Sequence, residues 1–450
     1  MAVGGLARTT EYKGYLFDIG GHRFFTKVSL VEELWKEVLG DDLLVRPRLS
    51  RIYYRGKFFR YPLSPWDTLT NLGIGESALC AASYARARLQ PRSPEDDFET
   101  YVVNRFGWRL YEKFFRSYTE KVWGIPCREI RADWASQRIR DLSFTSVLRN
   151  AFRPQSANGP RSLIDRFYYP RRGPGMMWSR MADRLPGMGS EVLLGQPVTG
   201  IHWEAGRVTH VTTPDGTHTG SHFLSSMPIR SFVRALNPAP PEDVRTAAER
   251  LSYRDFLIVA LIVARKDLFP DNWLYIHEPG VQVGRIQNFK NWSPDMVPDA
   301  NTTCLGMEYF CFEGDSLWAK TDEALIAQAA REAARIGILA ESEVRDAKVL
   351  RVPKAYPVYD DKYEAALEQV RQFTGRIANL QFIGRNGMHR YNNQDHSMVT
   401  GVFAARNIHG ARYDLWRVNA DQEYLEEGAG VSGEELHALD ESQPAVPRRV

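Results

Sequence analysis

Near the start of the chain, VGGLARTTEYKGYLFDIGGHRFF sets two glycine pairs, Gly4-Gly5 and Gly20-Gly21, around a short hairpin-like run, with Arg8 and His22 beside them. Glycines paired in this way let a backbone pass close to a ligand that any side chain would block. Near the other end, LQFIGRNGMHRYNNQDHSMVTGVFAARNI reads as a short buried strand, a turn at Gly384, a polar loop, and a helix whose small residues suit tight packing on a sheet. Asp395 or His396 falls at the start of that helix. Unpaired N–H groups and a partial positive charge there suit a phosphate or an electron-rich ring edge. The same spacing also describes an ordinary helix cap, and His22 reads equally as a hydrogen-bonded core histidine.

The elements that must position these residues are mixed. SLVEELWKEVLG reads as a helix capped by Ser29 and stopped by Gly40. From about residue 62 to 152 the text is helical and aromatic, with apolar positions recurring every three or four residues, as in DFETYVVNRFGWRLYEKFFRSYTEKVWG. The segment 191–226 reads as strands joined by turns at Ala205-Gly206 and Asp215-Gly216. FLIVALIVA at 256–264 is too short to span a bilayer and rich in β-branched residues, so it predicts a buried strand. DEALIAQAAREAARIG predicts an amphipathic helix ending at Gly337, and after residue 415 the chain becomes polar and acidic, as a loose tail would. The order implies a nucleotide-binding α/β core interrupted by one helical and one strand-bearing insertion.

Composition narrows the classes. At 450 residues, 43% hydrophobic and 25% charged, the chain is an ordinary globular protein with room for two or three domains. A net charge of +3 argues against coating nucleic acid. Cys80, Cys127, Cys304 and Cys311 have no metal-ligand spacing and fit free thiols of a reducing cytoplasm, and no signal or transmembrane segment is evident. Arg46, Arg48, Arg51, Arg55, Lys57 and Arg60 cluster, as do Arg161, Arg166, Arg171 and Arg172. Each cluster reads either as a solvated surface or as a pocket for an anionic substrate.

With these residues in view, the chain resembles the superfamily of flavin amine oxidases, protoporphyrinogen oxidases and UDP-galactopyranose mutases. The paired-glycine segment is similar to the stretch that follows the ribose-binding acid there, and YYPRRGPGMMWSRMADRL to a Pro-and-Gly turn entering a helix. YTEKVWG at 118–124 resembles a helix-end motif of the mutases, and FIGRNGMHRYNNQDHSMVTG the C-terminal flavin motif. The resemblance implies an FAD-binding, Rossmann-like (GR2-type) α/β fold with a helical insertion and an antiparallel or mixed sheet facing the substrate. It divides the chain into FAD-binding parts at 1–60, 161–230 and 371–415. Between them lie a helical insertion at 61–160 and a substrate-side sheet at 231–370, with a tail at 416–450.

The resemblance also implies roles. Gly4, Gly5 and Arg8 would meet the FAD pyrophosphate, and Gly20, Gly21 and His22 the isoalloxazine. The backbone of Val198 would meet the adenine, and Asp395 and Met398 would lie at the ribityl and pyrimidine edge beyond the Gly384 turn. Arg385 would lie near flavin and substrate with Tyr391 beside it, and Tyr356 or Tyr359 would contact substrate. His22, Arg385, Tyr356 and Tyr391 are thus the catalytic candidates.

One departure shapes the expectation. In the family a strand, a GxGxxG turn, a helix and a strand ending in an acid precede the GG segment, about 30 residues in all, whereas three residues precede Gly4 here. The resemblance thus implies a core lacking its first β-α-β unit, and FAD binding that is weak or absent. GAGVSG at 428–433 fits GxGxxG but follows no buried strand and opens an acidic segment, so it reads as coincidental.

The activity implied first is an FAD-dependent oxidoreductase acting on a small, anionic substrate, compatible with a nucleotide-sugar or glycan-linked one. The alternative is a flavin-dependent sugar-nucleotide mutase, toward which YTEKVWG and YPVYDDKY lean. Against it, RIRDLSF puts Asp141 or Leu142 where mutases carry a clamping arginine, although Arg138 and Arg140 are close. A truncated homologue that holds no FAD is the third reading.

Overall fold

The computed structural model describes residues 2–61, 65–132 and 166–419. We number its strands in chain order, and its α-helices of seven residues or more likewise. The chain opens on the hairpin β1 (Thr9–Tyr12) and β2 (Tyr15–Asp18), then α1 (Ser29–Leu39), β3 (Leu43–Pro47), β4 (Ser50–Tyr54) and β5 (Lys57–Arg60). Helices α2 (Pro65–Leu72), α3 (Ile74–Leu89), α4 (Phe98–Phe106) and α5 (Ser117–Trp123) follow. After β6 (Arg166–Pro170) and α6 (Gly175–Arg184) come β7 (Gly200–Glu204), β8 (Arg207–Thr213), β9 (Gly216–Thr219) and β10 (Phe223–Ser225). Then follow α7 (Ile229–Ala235), β11 (Leu236–Asn237), α8 (Glu242–Arg250), β12 (Tyr253–Val263), β13 (Trp273–Ile276), β14 (Arg285–Asn288) and β15 (Thr303–Cys311). The described chain finishes with α9 (Asp322–Arg335), β16 (Val344–Pro357), α10 (Tyr363–Thr374), β17 (Leu380–Phe382) and α11 (Gln394–Ile408).

Three sheets frame the interior. A seven-stranded mixed sheet runs β16-β12-β15-β14-β13-β4-β5, a four-stranded sheet runs β11-β7-β8-β9, and β10 pairs in parallel with β17. Strand β12 is buried along its whole length. Leu257, Val259 and Leu261 pack under α9 with Leu325 and Ala329, while Phe256, Ile258 and Ala260 pack toward the β1–β2 hairpin with Phe17 and Trp292. A strand covered on both faces reads as an unbroken apolar run, which is why FLIVALIVA lacks alternation. Helices α3, α4 and α5 form a separate layer on β4 and β5, where Ile52, Tyr54 and Phe59 meet Phe98, Phe114 and Trp123. Among the described residues no helix is long and apolar enough to cross a membrane.

Several local expectations change. Ser29 is the first helical residue of α1 rather than its cap: Val28 occupies that position, its N–H bonded to Thr26 Oγ1 at 3.1 Å. The chain after Gly384 makes a helical turn over Gly384–Gly387 before any loop begins. The basic clusters are largely absorbed by partners. Arg51 is bonded to the buried Asp271 at 2.6 Å, Arg46 to the Asn291 carbonyl, and Arg171 to Asp42 and Asp295. Arg161, the segment around Arg138, Arg140, Asp141 and Leu142, and GAGVSG at 428–433 lie outside the described residues.

Candidate functional site

The opening hairpin is held from below. Gly4 and Gly5 take φ of 96° and 54°; a Cβ on Gly4 would stand 2.7 Å from the Trp178 ring, whereas one on Gly5 would meet nothing within 4 Å, so the backbone at Gly5 faces open space. At the other end of the hairpin, Asp18 is 1% exposed and accepts hydrogen bonds from Thr9 Oγ1 at 2.8 Å and from the Tyr169 hydroxyl at 2.5 Å. Burial pushes its carboxyl up to about 7. The turn into α6 lies so close that a Cβ on Gly173 would stand 2.2 Å from Thr9 Oγ1. That contact is why the sequence needs glycine there. Together these bonds fix where Gly20 and Gly21 leave β2.

Beneath those glycines lies a buried charge pair that sequence reading missed. Arg285 on β14 stands directly across from Glu308 on β15, and the two side chains are bonded. Glu308 is 0% exposed and also accepts from Gln287 Nε2 at 2.8 Å. Burial pushes the Glu308 carboxyl up, and the guanidinium opposes that shift. A Cβ on Gly20 would be 3.5 Å from Arg285, and one on Gly21 would be 3.0 Å from Gln287 Nε2. The one available signal was an acid inside an otherwise apolar strand, CLGMEYFC, since carboxylates are rarely buried without a partner.

The C-terminal motif converges on the same place. Arg385 donates from Nε to the Asn392 carbonyl at 2.9 Å and from Nη1 to the Ala355 carbonyl at 3.3 Å. Its guanidinium lies 4.6 Å from the Tyr391 ring centre, and Tyr391 stacks on Tyr356 at 5.7 Å. Burial, then the neighbouring Tyr391, pushes the Tyr356 phenol up to about 12. Helix α11 is capped by Asn393, whose N–H bonds to His396 Nδ1 at 3.2 Å. Asp395 is 2% exposed, and burial raises it to about 7.

The glycine backbone, Arg285 and the Arg385 loop line one cavity of about 1540 Å³, which Asp18, Tyr169 and Glu308 support from outside the lining. Gly4, Gly5, Arg8, Gly20, Gly21, His22, Tyr356, Gly384, Arg385, Tyr391 and Asp395 border it, joined by Arg285, Gln287, Tyr118 and His277. Two expected residues do not border it. Val198 precedes β7 and packs on the core around Ile201, and Met398 accepts from Trp35 Nε1 at 3.1 Å within the α1 core. Tyr359 also stays outside the lining, its hydroxyl accepting from the Tyr391 N–H at 2.6 Å. The YTEKVWG motif divides in use. Tyr118 faces the cavity and stacks on His277 at 4.6 Å, whereas Lys121 donates to the Ile276, Glu278 and Val283 carbonyls and ties α5 to the sheet.

The residues fit a dinucleotide. Trp178 Nε1 and Gln394 Oε1 are buried without hydrogen-bond partners, and both border the cavity, one donor and one acceptor awaiting a polar ligand. Open space over Gly5, the Arg8 guanidinium and the start of a 15-residue helix add a lining suited to phosphate.

Three buried histidines, His277, His389 and His396, and the half-buried His22 give the fold a pH signature. Burial lowers His22 to about 4 and His277, His389 and His396 to about 3. A depressed histidine adds stability above its unfolded value near 6.5, and that stability is lost as pH falls toward the folded value. Asp18 and Asp395 act oppositely: their raised folded values add stability that is fully present below about 4 and lost as pH rises through about 7. Glu308 and Asp255, also raised by burial, join that side. Between pH 5 and pH 6.5 the histidines therefore raise stability, at about 1.4 kcal/mol per proton per pH unit, against the raised carboxyls. Denaturant melts of wild type and of His389→Phe at those two pH values isolate the histidine part: wild type should gain more than the variant between them, and an equal gain would show that His389 is charged in the folded state.

Residues 2–384 match the family profile of flavin containing amine oxidoreductases. A reduced UDP-galactopyranose mutase superposes with a TM-score of 0.80 at 22% identity, over 93% of this chain and 90% of the mutase. A putrescine oxidase variant gives 0.60 at 15% identity, covering 91% and 92%, and an oxidoreductase from Methanosarcina mazei gives 0.57 at 13%, covering 85% and 86%. These likenesses carry the fold, while the match along most of the chain carries the family. The protein belongs to the flavin-containing amine oxidoreductase family of flavin-dependent enzymes.

Proposed function

We propose that the protein is an FAD-dependent oxidoreductase acting on an anionic small molecule of nucleotide-sugar or glycan-linked type. The observation that carries this reading is the pair of guanidinium groups, Arg285 and Arg385, bordering the same cavity as the paired-glycine backbone. Arg285 shares its charge with Glu308, and Arg385 makes no ion pair among the described residues, so together they carry net positive charge that would disfavour a protonated amine and grip phosphate or carboxylate oxygens. FAD supplies a hydride-accepting ring when bound. Gly4, Gly5, Arg8 and the first turn of α11 would hold its phosphate-bearing half, with Gly20, Gly21 and His22 beside the ring. Arg285 and Arg385 orient the substrate's anionic groups. Tyr356, protonated at neutral pH, donates a hydrogen bond, and neutral His22 adds no charge.

A mutase reading is favoured by a second observation. Asp395, at the start of α11, is the one carboxylate among the described lining residues, and Thr26 bonds to it. Arg285, Arg385, Tyr356 and Tyr391 thus offer cations and phenols that would stabilise a departing phosphate, with a single carboxylate on the lining to take a proton. Anaerobic titration of the flavin-loaded protein with UDP-sugars separates the two. Bleaching of the yellow colour is expected for the oxidoreductase. Turnover seen only after chemical reduction, with no net redox change, would replace it with the mutase.

A further inference from the structure

The cavity does not end at the charged residues. Past Tyr118 it continues between the helices, walled by Leu72, Phe106, Leu110 and Phe114, and it reaches Ile74 at the start of α3. Ile74 borders the cavity and is 88% exposed, so this arm opens at the surface. Among the described residues no charged side chain lines the arm. A charged end joined to a long uncharged arm is the shape of an amphiphile's site.

The surface around the mouth has matching chemistry. On α3, Leu79 and Leu89 are exposed along with Ile74, and Arg86 and Arg88 are exposed beside them. The helix has a single acid, Glu76, and it is turned inward to Arg109 at 2.6 Å and Lys113 at 3.3 Å. Apolar and basic residues without an outward acid form the pattern by which a helix rests on an anionic lipid surface.

We infer that the substrate is lipid-borne: its apolar chain lies in the helical arm, its anionic head lies at Arg285 and Arg385, and the exposed face of α3 docks on an anionic bilayer. This rests on the reading of the two arginines as an anion site, and it adds the substrate's class. The route also has a physical logic. A chain entering at Ile74 passes from bilayer to cavity through the one end of the arm at which apolar surface is already exposed, so little of it meets water.

Two measurements on the full-length chain test this without turnover. In sedimentation with phosphatidylglycerol–phosphatidylcholine vesicles, wild type is expected in the pellet. Leu79→Glu/Leu89→Glu is expected to bind at least 10-fold less with an unchanged melting temperature. Wild type left in the supernatant, or a double variant that binds equally, would overturn the docking surface. In tryptophan-fluorescence titrations, farnesyl diphosphate is expected to bind at least 10-fold tighter than inorganic pyrophosphate. Ala78→Trp, at the mouth, should remove that advantage while leaving pyrophosphate binding intact. Equal affinity of wild type for the two probes overturns the chain site, whereas loss of all pyrophosphate binding counts against the arginine pair instead.

Discussion

Glu308→Leu is expected to lower the free energy of unfolding by about 3 kcal/mol, the low end for a buried pair, because it leaves the Arg285 guanidinium, 19% exposed at the cavity wall, without its counter-charge. Glu308 is 0% exposed and accepts from both Arg285 and Gln287, so the substitution also strands the Gln287 amide. Each stranded donor adds a desolvation penalty of about 1–3 kcal/mol. Glu308→Gln, which keeps one acceptor and the shape, should cost about half as much. The companion variant Arg285→Met/Glu308→Leu removes both charges and should recover most of the loss, since matched apolar replacement of a buried pair is often close to neutral. Yet it should lose anion binding at the cavity. Urea denaturation midpoints and pyrophosphate titrations on the three variants check both halves. A cost below about 1 kcal/mol for Glu308→Leu would mean that water reaches Arg285 freely.

That pair also marks what the sequence could and could not convey. The paired glycines were legible because positive φ at Gly4, Gly5 and Gly20 and the close approach of Gln287 to Gly21 restrict the residue type at the position itself. The start of α11 was legible because small residues following a polar loop have few other uses. FLIVALIVA was legible because burial on both faces excludes polar residues. Arg285 and Glu308, by contrast, lie 23 residues apart and meet only through the register of β14 on β15. Cross-strand neighbours of this kind are fixed by pairing, which local pattern does not encode. The same limit explains the basic cluster at 46–60. Arg51 looked available in sequence, but its partner Asp271 arrives from a loop 220 residues away. Tyr118 and Lys121 sit in one motif with different duties, because α5 turns one toward the cavity and the other onto three sheet carbonyls.

Arg385→Ala should reduce kcat/KM for an anionic substrate by about 100-fold, the equivalent of one charge-assisted, paired hydrogen bond at about 1.5–3 kcal/mol. The geometry argues for an effect on binding and orientation more than on folding. Nε and Nη1 are spent on the Asn392 and Ala355 carbonyls, which lock the guanidinium plane beside the Tyr391 and Tyr356 rings while the group still borders the cavity. Arg385→Lys keeps the charge but cannot hold two carbonyls and an anion in one plane, so it should recover less than 10-fold of the loss. The decisive comparison is with a substrate analogue lacking the phosphate or carboxylate. If Arg385 grips that group, wild type and Arg385→Ala should turn over the neutral analogue at rates within about 3-fold of each other, because the interaction lost is one the analogue never made. An equal 100-fold loss on both substrates would place Arg385 instead among the residues that hold the loop from Gly384 to Asn393, and the anion would then fall to Arg285 alone.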